Sequence, residues 1–581
     1  MEQELITLGI LFFFALIGGV LAARFKQPIL LGLLVVGAII GPKALGLIKG
    51  ESVLAPMIDF GAILMLFVIG LEFDISKLQK IGLKAILIAT TNSSVLTFVG
   101  FMVSILIGFS VQTSMFIGVI LSFGSTVVIV KVLENKGMMH RQEVPLLIAV
   151  LIIEDILAVL IITFFSGVSD KNISLVNNIE TLLISMILLI VAYIAFVKFV
   201  KPILVWTLKN NSSDEITTFT ALALCAGFAY LAYYLKLSPA VGAFMAGSIV
   251  ASLPSSKEFE KAIAPYNLII SSFFFIAIGT LIDLTVIREN IMIILLFVAV
   301  VIITKLITFS SLVYFFANMK GDKMFFSSIA MCSVGEFSLL IAKQSAKFNL
   351  GIDLVSISAA IVAISALIMS IAINYSDRVY QPTMENMPYS VRKKIDETSL
   401  YIKSISEEMD LDNKHSQLLK RNMISFFSVM LLTLLTVFGW RKLALFMTLQ
   451  NINTSLISII YVAVLIILTA ELFYAAFRAK KIIRSFSEIF ANATNTRSVI
   501  ESKKVVIKTF MVIGTIIIIL SSPFIMFMFN LHKTYLIVPG VFILLLIWQV
   551  HRLSVNANNN SNNNYIPHHK VNYNVKHGWK I

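Results

Sequence analysis

LIIEDILAVLII, residues 151–162, sets two adjacent carboxylates, Glu154 and Asp155, inside an unbroken apolar run. The run extends from Pro145 to Phe165, close to the ~20 residues a membrane-spanning helix needs. That length puts the pair near the bilayer midplane, where each ionisable side chain costs ~3 kcal/mol or more to insert. Two of them side by side point to a binding site for a cation or a proton. Adjacent helical residues point about 100° apart, so one carboxylate can face an ion cavity while its neighbour faces a counter-charge.

The rest of the chain is consistent with a membrane setting. Of 581 residues, 58% are hydrophobic and 13% charged, and the mean hydropathy is +0.92. A soluble chain carries about twice that charged fraction. Long apolar runs recur from Leu5 almost to the end, which predicts an all-α polytopic membrane protein. A membrane β-barrel would show short alternating segments instead. The first run lacks a basic leader region and a small-residue cleavage site, so it reads as a retained helix. The net charge of +14 does not call for nucleic acid, because Lys and Arg fall in alternate loops. Cys225 and Cys332, the two cysteines, lie in apolar runs and outline neither a disulfide framework nor a metal site. No P-loop and no Gly-rich dinucleotide fingerprint occurs, so no cofactor is expected.

Thirteen spans precede the first long polar stretch: 4–23, 28–48, 55–72, 84–108, 112–132, 145–167, 181–200, 216–235, 238–253, 265–285, 290–317, 324–343 and 353–374. One set of loops is rich in basic residues, among them Arg24, Lys77, Lys131, Arg141, Lys201, Lys257 and Lys323. The other has fewer, among them Lys43, Lys171, Lys343 and Lys347. The positive-inside rule then puts the N-terminus outside and residue 378 in the cytoplasm. Residues 1–375 read as the membrane domain, and 376–422 as a cytoplasmic linker with amphipathic helices. Residues 423–552 read as an extra module of about four spans, near 423–440, 453–476, 505–530 and 533–550. The basic loop between the second and third of these is cytoplasmic, as is the Asn-rich tail 553–581, whose NANNNSNNN stretch predicts disorder.

Three spans carry charge at similar depth: the Glu154–Asp155 pair, Lys305 near the centre of 291–317, and Glu336 in CSVGEFSLLIA, 332–342. Buried charges persist when they pair or line a wet cavity. One cation and three carboxylates therefore suggest one shared site, although a purely structural ion-pair cluster fits the same pattern. Two spans look broken. LSFGSTVVIVK, 121–131, places Gly124, Ser125 and Thr126 inside an apolar run, and CSVGEFS does the same with Ser333, Gly335 and Ser338. Gly weakens a helix interior, and Ser and Thr offer the backbone competing hydrogen bonds. Interrupted helices at matching places in two halves point to a secondary transporter site. Here they are the fifth and twelfth spans, beside the charged sixth and eleventh, as in an inverted repeat. Small residues that merely ease helix packing are the alternative.

At these residues the chain resembles the monovalent cation:proton antiporters of the second antiporter family, which carry the sodium/proton exchanger domain and are related to glutathione-gated potassium-efflux systems. QPILLGLLVVGAIIGP (27–42), FGAILMLFVIGLEFD (60–74), GSTVVIVKVLENKG (124–137), LSPAVGAFMAGSIVA (237–251), FFFIAIGTLID (273–283) and GEFSLLIA (335–342) resemble family motifs in the same order. The resemblance covers residues 5–375 and implies a 13-span antiporter fold in a prokaryotic cell membrane. It also implies a homodimer with an interface domain and a mobile core. Asp155 then corresponds to the ion-binding aspartate, with Glu154, Thr126 and Ser125 beside it. Lys305 matches the basic residue of the eleventh span, with Glu336 a further coupling charge. Two departures stand out: the pair is Glu-Asp where members often have Asp-Asp, Asn-Asp or Gln-Asp, and four extra spans replace the nucleotide-binding domain of the potassium-efflux systems.

The expected activity is exchange of a monovalent cation, sodium first, for protons by alternating access, with Asp155 binding one or the other. Glu154 is expected to pair with Lys305. The alternative is potassium/proton antiport or potassium efflux. A gated channel would need a continuous pore and a filter-like carbonyl loop, which the sequence does not show. A transporter-like sensor would use the extra module as its output. An enzyme is disfavoured because the ionisable groups sit at mid-membrane without a His or Ser triad. Sodium, lithium and potassium, membrane lipid and a second copy of the chain are the expected partners, and nucleic acid is not.

Overall fold

A computed structural model describes residues 2–376 apart from 26, 49–50, 73–74, most of 169–212, 236, 254, 318, 320 and 349; beyond 376 it describes only scattered positions. The expected seventh span, and almost all of the linker, four-span module and tail, lie outside the described residues. Among the described residues every regular element is helical. The elements are α1 (Glu2–Arg24), α2 (Ile29–Ile40), α3 (Glu51–Glu72), α4 (Ile75–Ile107), α5 (Val111–Ser122), α6 (Thr126–Asn135) and α7 (Val144–Val168). Then come α8 (Asp214–Tyr234), α9 (Pro239–Ala251), α10 (Ser256–Thr280), α11 (Leu284–Glu289), α12 (Ile291–Ala317), α13 (Asp322–Ala330), α14 (Glu336–Ser345) and α15 (Leu354–Ala372).

Nine segments among the described residues are long and apolar enough to cross a membrane, and α2 and α9 are shorter apolar helices. The expected second span, 28–48, runs well past the helix, which has 12 residues. Helix α2 stops at Gly41 because Pro42 follows, and the residue before a proline is driven out of the helical region. Gly41 is extended there, at φ −63° and ψ 167°. The tenth span differs the other way. Helix α10 begins at Ser256, and its charged first turns bury only Phe259 and Ile263 on one side. Apolar run length alone cannot see such a water-facing extension.

The helices sort into two packed halves. Helices α1, α2, α3, α8, α9 and α10 form a scaffold in which α3 packs on α9 and α10, and α10 on α2. Helices α4–α7 and α11–α15 form a core in which α4 packs on α5, α7 and α12, and α14 on α5, α7 and α15. The halves meet chiefly where α9 touches α7. Along the chain the order is scaffold, core, scaffold, core, which is the layout an internal repeat produces. Small residues set the scaffold's spacing. A Cβ on Gly247 would overlap the carbonyl oxygen of Phe67, and one on Gly70 would overlap that of Phe244, so α3 and α9 touch backbone to backbone. Without a hydrophobic drive between helices in lipid, such close approach is the main source of association.

Candidate ion site

Both expected breaks are real interruptions of helix. Helix α5 ends at Ser122, Phe123 and Ser125 are extended, and α6 restarts at Thr126 with the Ser125 hydroxyl accepting from the Val128 amide at 3.2 Å. Helix α13 ends at Ala330, and α14 restarts at Glu336 after Gly335. The two breaks cross in contact. The Gly335 amide donates to the Phe123 carbonyl at 2.9 Å, and the Ser338 hydroxyl to the Ile120 carbonyl at 2.5 Å. Gly335 is needed for space rather than for conformation. Its backbone is extended, at φ −102°, but a Cβ would run into the Gly124 carbonyl. From α15, the Ser365 hydroxyl takes the Val334 amide at 3.0 Å. Unwound backbone at membrane depth survives only where protein or a wet cavity satisfies it, and these bonds do so.

The charged side chains gather at this crossing and divide it between them. Glu154 is fully buried and turned into the core, where it accepts from Asn92 Nδ2 at 3.0 Å and from the Gly124 amide at 2.9 Å. Lys305 is also fully buried; its Nζ donates to the Ser333 carbonyl at 3.1 Å, and Glu154 is its electrostatic neighbour. Glu154 Oε2 and Lys305 Nζ lie 3.2 and 3.6 Å from where a Gly124 Cβ would stand, so glycine leaves room for both charges. The expected pairing of Glu154 with Lys305 is thus electrostatic proximity, with the close hydrogen bonds of each going to Asn92, Gly124 and Ser333. Glu336 stands away from Lys305 in its bonding. It accepts from the Ser125 hydroxyl at 2.6 Å, with the Val127 amide also directed at it. A carboxylate in the first turn of α14, against the start of α6, complements two helix N-termini.

Asp155 is the member that faces out of the core. It accepts from the Thr126 hydroxyl at 2.9 Å and lines a cavity of about 400 Å³ between the halves. Thr126, Lys131 and Glu336 of the core line that cavity, opposite Met65, Val68, Ser271, Ser272 and Phe275 of the scaffold. It reaches toward the face that bears Lys131. A second cavity of about 820 Å³ lies between the halves toward the face that bears Lys343, lined by Asp59, Leu66, Ile162 and Leu340. On α14 the first cavity reaches Glu336 and the second Leu340, four residues on, so about one helical turn separates them there.

Asn92 and Ser365 join the site beyond the residues expected from the sequence. Asn92 belongs to TTNSS, residues 90–94, a polar run inside an otherwise apolar span. The midplane rule that found Glu154 would have found it. Ser365 has no such signal, since a lone serine in a membrane helix usually bonds its own preceding turn.

Two helical halves, a pair of crossed broken helices and a carboxylate lining a cavity between the halves define a secondary transporter. The sequence comparisons specify which class. The family model "Sodium/hydrogen exchanger, transmembrane" matches residues 10–375, and the chain belongs to that family of integral membrane antiporters. The Na(+)/H(+)-K(+) antiporter GerN of Bacillus cereus is 30% identical over 335 residues, covering 56% of this chain and 84% of GerN. The iron transporter MagA of Paramagnetospirillum magneticum is 26% identical over 344 residues, covering 59% of this chain and 78% of MagA. The solved sodium proton antiporter MjNhaP1 of Methanocaldococcus jannaschii shares the fold, with a TM-score of 0.50 at 15% identity over 65% of this chain and 98% of that one.

Proposed function

We propose that this chain exchanges sodium for protons, with potassium as the alternative cation, by moving its core against its scaffold in a prokaryotic cell membrane. The observation that carries the reading is Asp155, a carboxylate with a hydroxyl partner that lines a cavity between the halves. A proton or a dehydrated monovalent cation can neutralise it, and the two compete for one place. Crossing the barrier with an empty anion is costly, so the core moves when loaded. GerN, whose name carries sodium, potassium and protons, supports the cation class. Iron, as in the name of MagA, asks for several firm ligands. Among the described residues no three His, Cys, Asp or Glu lie so placed that they could hold one metal ion together.

The Lys and Arg distribution supports an external N-terminus and a cytoplasmic C-terminus. The cavity beside Lys131 then opens to the cytoplasm and the one beside Lys343 to the outside. Exposed Phe13, Leu16 and Val20 give α1 an apolar outer face for lipid or a second copy, consistent with a homodimer through the scaffold. Thr126 and Ser125 act beside Asp155 and Glu336, and Lys305 and Glu154 set the field behind the site.

The test is exchange in proteoliposomes under an imposed pH gradient, reading lumenal pH as sodium, potassium or lithium is added. Cation flux without proton counterflow would make the protein a channel, and no flux with any of the three would leave a sensor.

Lys305→Gln removes the cation behind the carboxylates. Protons then compete better against cations, so the activity profile shifts to higher pH. Solid-supported-membrane currents across pH check this, and an unchanged current and midpoint would make Lys305 purely structural. Removing residues from 420 onward leaves an active exchanger, because the family match ends at residue 375 and the whole site precedes it. A truncated protein that folds and dimerises yet exchanges nothing would make the C-terminal region part of the transport machine.

A further inference from the structure

One close ion pair joins the two halves at a place the transport chemistry does not use. Asp59 lies on scaffold helix α3 and Lys343 on core helix α14, 284 residues apart in sequence, yet Lys343 Nζ stands 2.5 Å from Asp59 Oδ1. The pair sits in the 820 Å³ cavity, on the side away from Asp155. Asp59 also attracts Lys347, one turn further along the core. Lys43 makes the other charged contacts on this face, with Asp283 at 3.3 Å, where the chain itself crosses from scaffold to core, and at 4.0 Å with Asp353 at the start of α15. Asp59 and Lys343 have no such covalent neighbour. A core that slides along the scaffold changes their separation, and here the bond is made while the 820 Å³ cavity stops short of Asp155.

We propose that Asp59 and Lys343 are positioning residues that latch the core in the state whose site opens toward Lys131, with Lys347 a weaker second partner for Asp59. The inference rests on the alternating-access reading above. Both side chains are partly water-exposed, at 69% and 31%, so the latch is weak and easily reversed. Exposed pairs are worth roughly a two- to fivefold bias in an equilibrium. That magnitude suits a step that must open in every cycle.

The experiment places a cysteine at Ala62, one turn deeper than Asp59 along the same cavity wall and only 8% exposed. A membrane-impermeant maleimide is applied from each side, and the parent protein with buried Cys225 and Cys332 sets the background. Asp59→Asn should speed labelling from the Lys343 side about two- to fivefold, Lys343→Gln should speed it somewhat less because Lys347 remains, and the charge swap Asp59→Lys with Lys343→Asp should restore the parental rate. A purely local charge effect on the new thiol would raise labelling in one single variant and lower it in the other. Opposite signs, or no change in either, would overturn the latch. Wild-type vesicles assayed in parallel keep the two readings apart: exchange with unmoved labelling rejects the latch alone, whereas absence of exchange rejects the antiport reading first.

Discussion

Asp155→Asn vesicles take up no sodium against a proton gradient, while the protein folds and migrates as the wild type does. An asparagine nearly preserves the shape and can still accept the Thr126 hydrogen bond that holds residue 155 at 2.9 Å. What it cannot do is carry a full negative charge or take up and release a proton. The loss is therefore of chemistry and not of structure, and exchange falls to the rate of empty vesicles. Fold is checked by monodispersity and by melting temperature, and transport by lumenal pH. Asn92 and the Gly124 amide hold Glu154 inside the core, so Glu154 does not stand in for its neighbour. Wild-type exchange in a folded Asp155→Asn protein would remove Asp155 from the mechanism.

Gly335→Ala is the second large effect, and its origin is steric. The added methyl would run into the Gly124 carbonyl group and come within 3.0 Å of Ser125 Cα. Both are backbone atoms of the opposing break, so no side chain can swing aside. Overpacking of this kind costs ~1–3 kcal/mol. The displacement also loosens the bond from the Gly335 amide to Phe123, and moves the Gly124 amide that Glu154 accepts. A site shifted by ~1 Å can lose about a hundredfold in rate, so exchange per folded molecule drops by at least tenfold and the melting temperature falls. Ser338→Ala is the companion variant, because it deletes one bond across the same crossing without adding volume. It should cost less in both readouts. Gly335→Ala protein with the wild-type rate and melting temperature would show that the crossing tolerates expansion.

Much of this was legible in the amino-acid order, and for definite reasons. Charges and small residues are expensive or weak in a membrane helix, so Glu154, Asp155, Lys305 and Glu336, and both breaks, stand out against an apolar background. What the order does not specify is which side chain meets which. Glu336 reads as a fourth charge near Lys305, but its carboxylate bonds to Ser125 across the crossing. Only the packing of α14 on α5 brings those residues together. Lys343 closes its expected span and Asp59 falls in the first turns of its own, where a charge is ordinary, and nothing in either segment announces the other. Helix lengths went astray where solvent or a proline decided them, at α10 and α2.

The thinness of the wall between the two cavities has an electrical consequence. Water-filled vestibules conduct, so a membrane potential falls mostly across whatever they leave dry. Near α14 that dry layer is about one turn, or ~6 Å at 1.5 Å per residue, against a hydrocarbon core of ~30 Å. The field there is several times steeper than the average across the bilayer. An elementary charge that traverses it works against nearly the full ~2.3 kcal/mol per 100 mV, although it travels only a few ångströms. An exchange cycle that moves net charge, as the proposed antiport would if it is electrogenic, is thereby exposed to the membrane potential over a distance of a few ångströms.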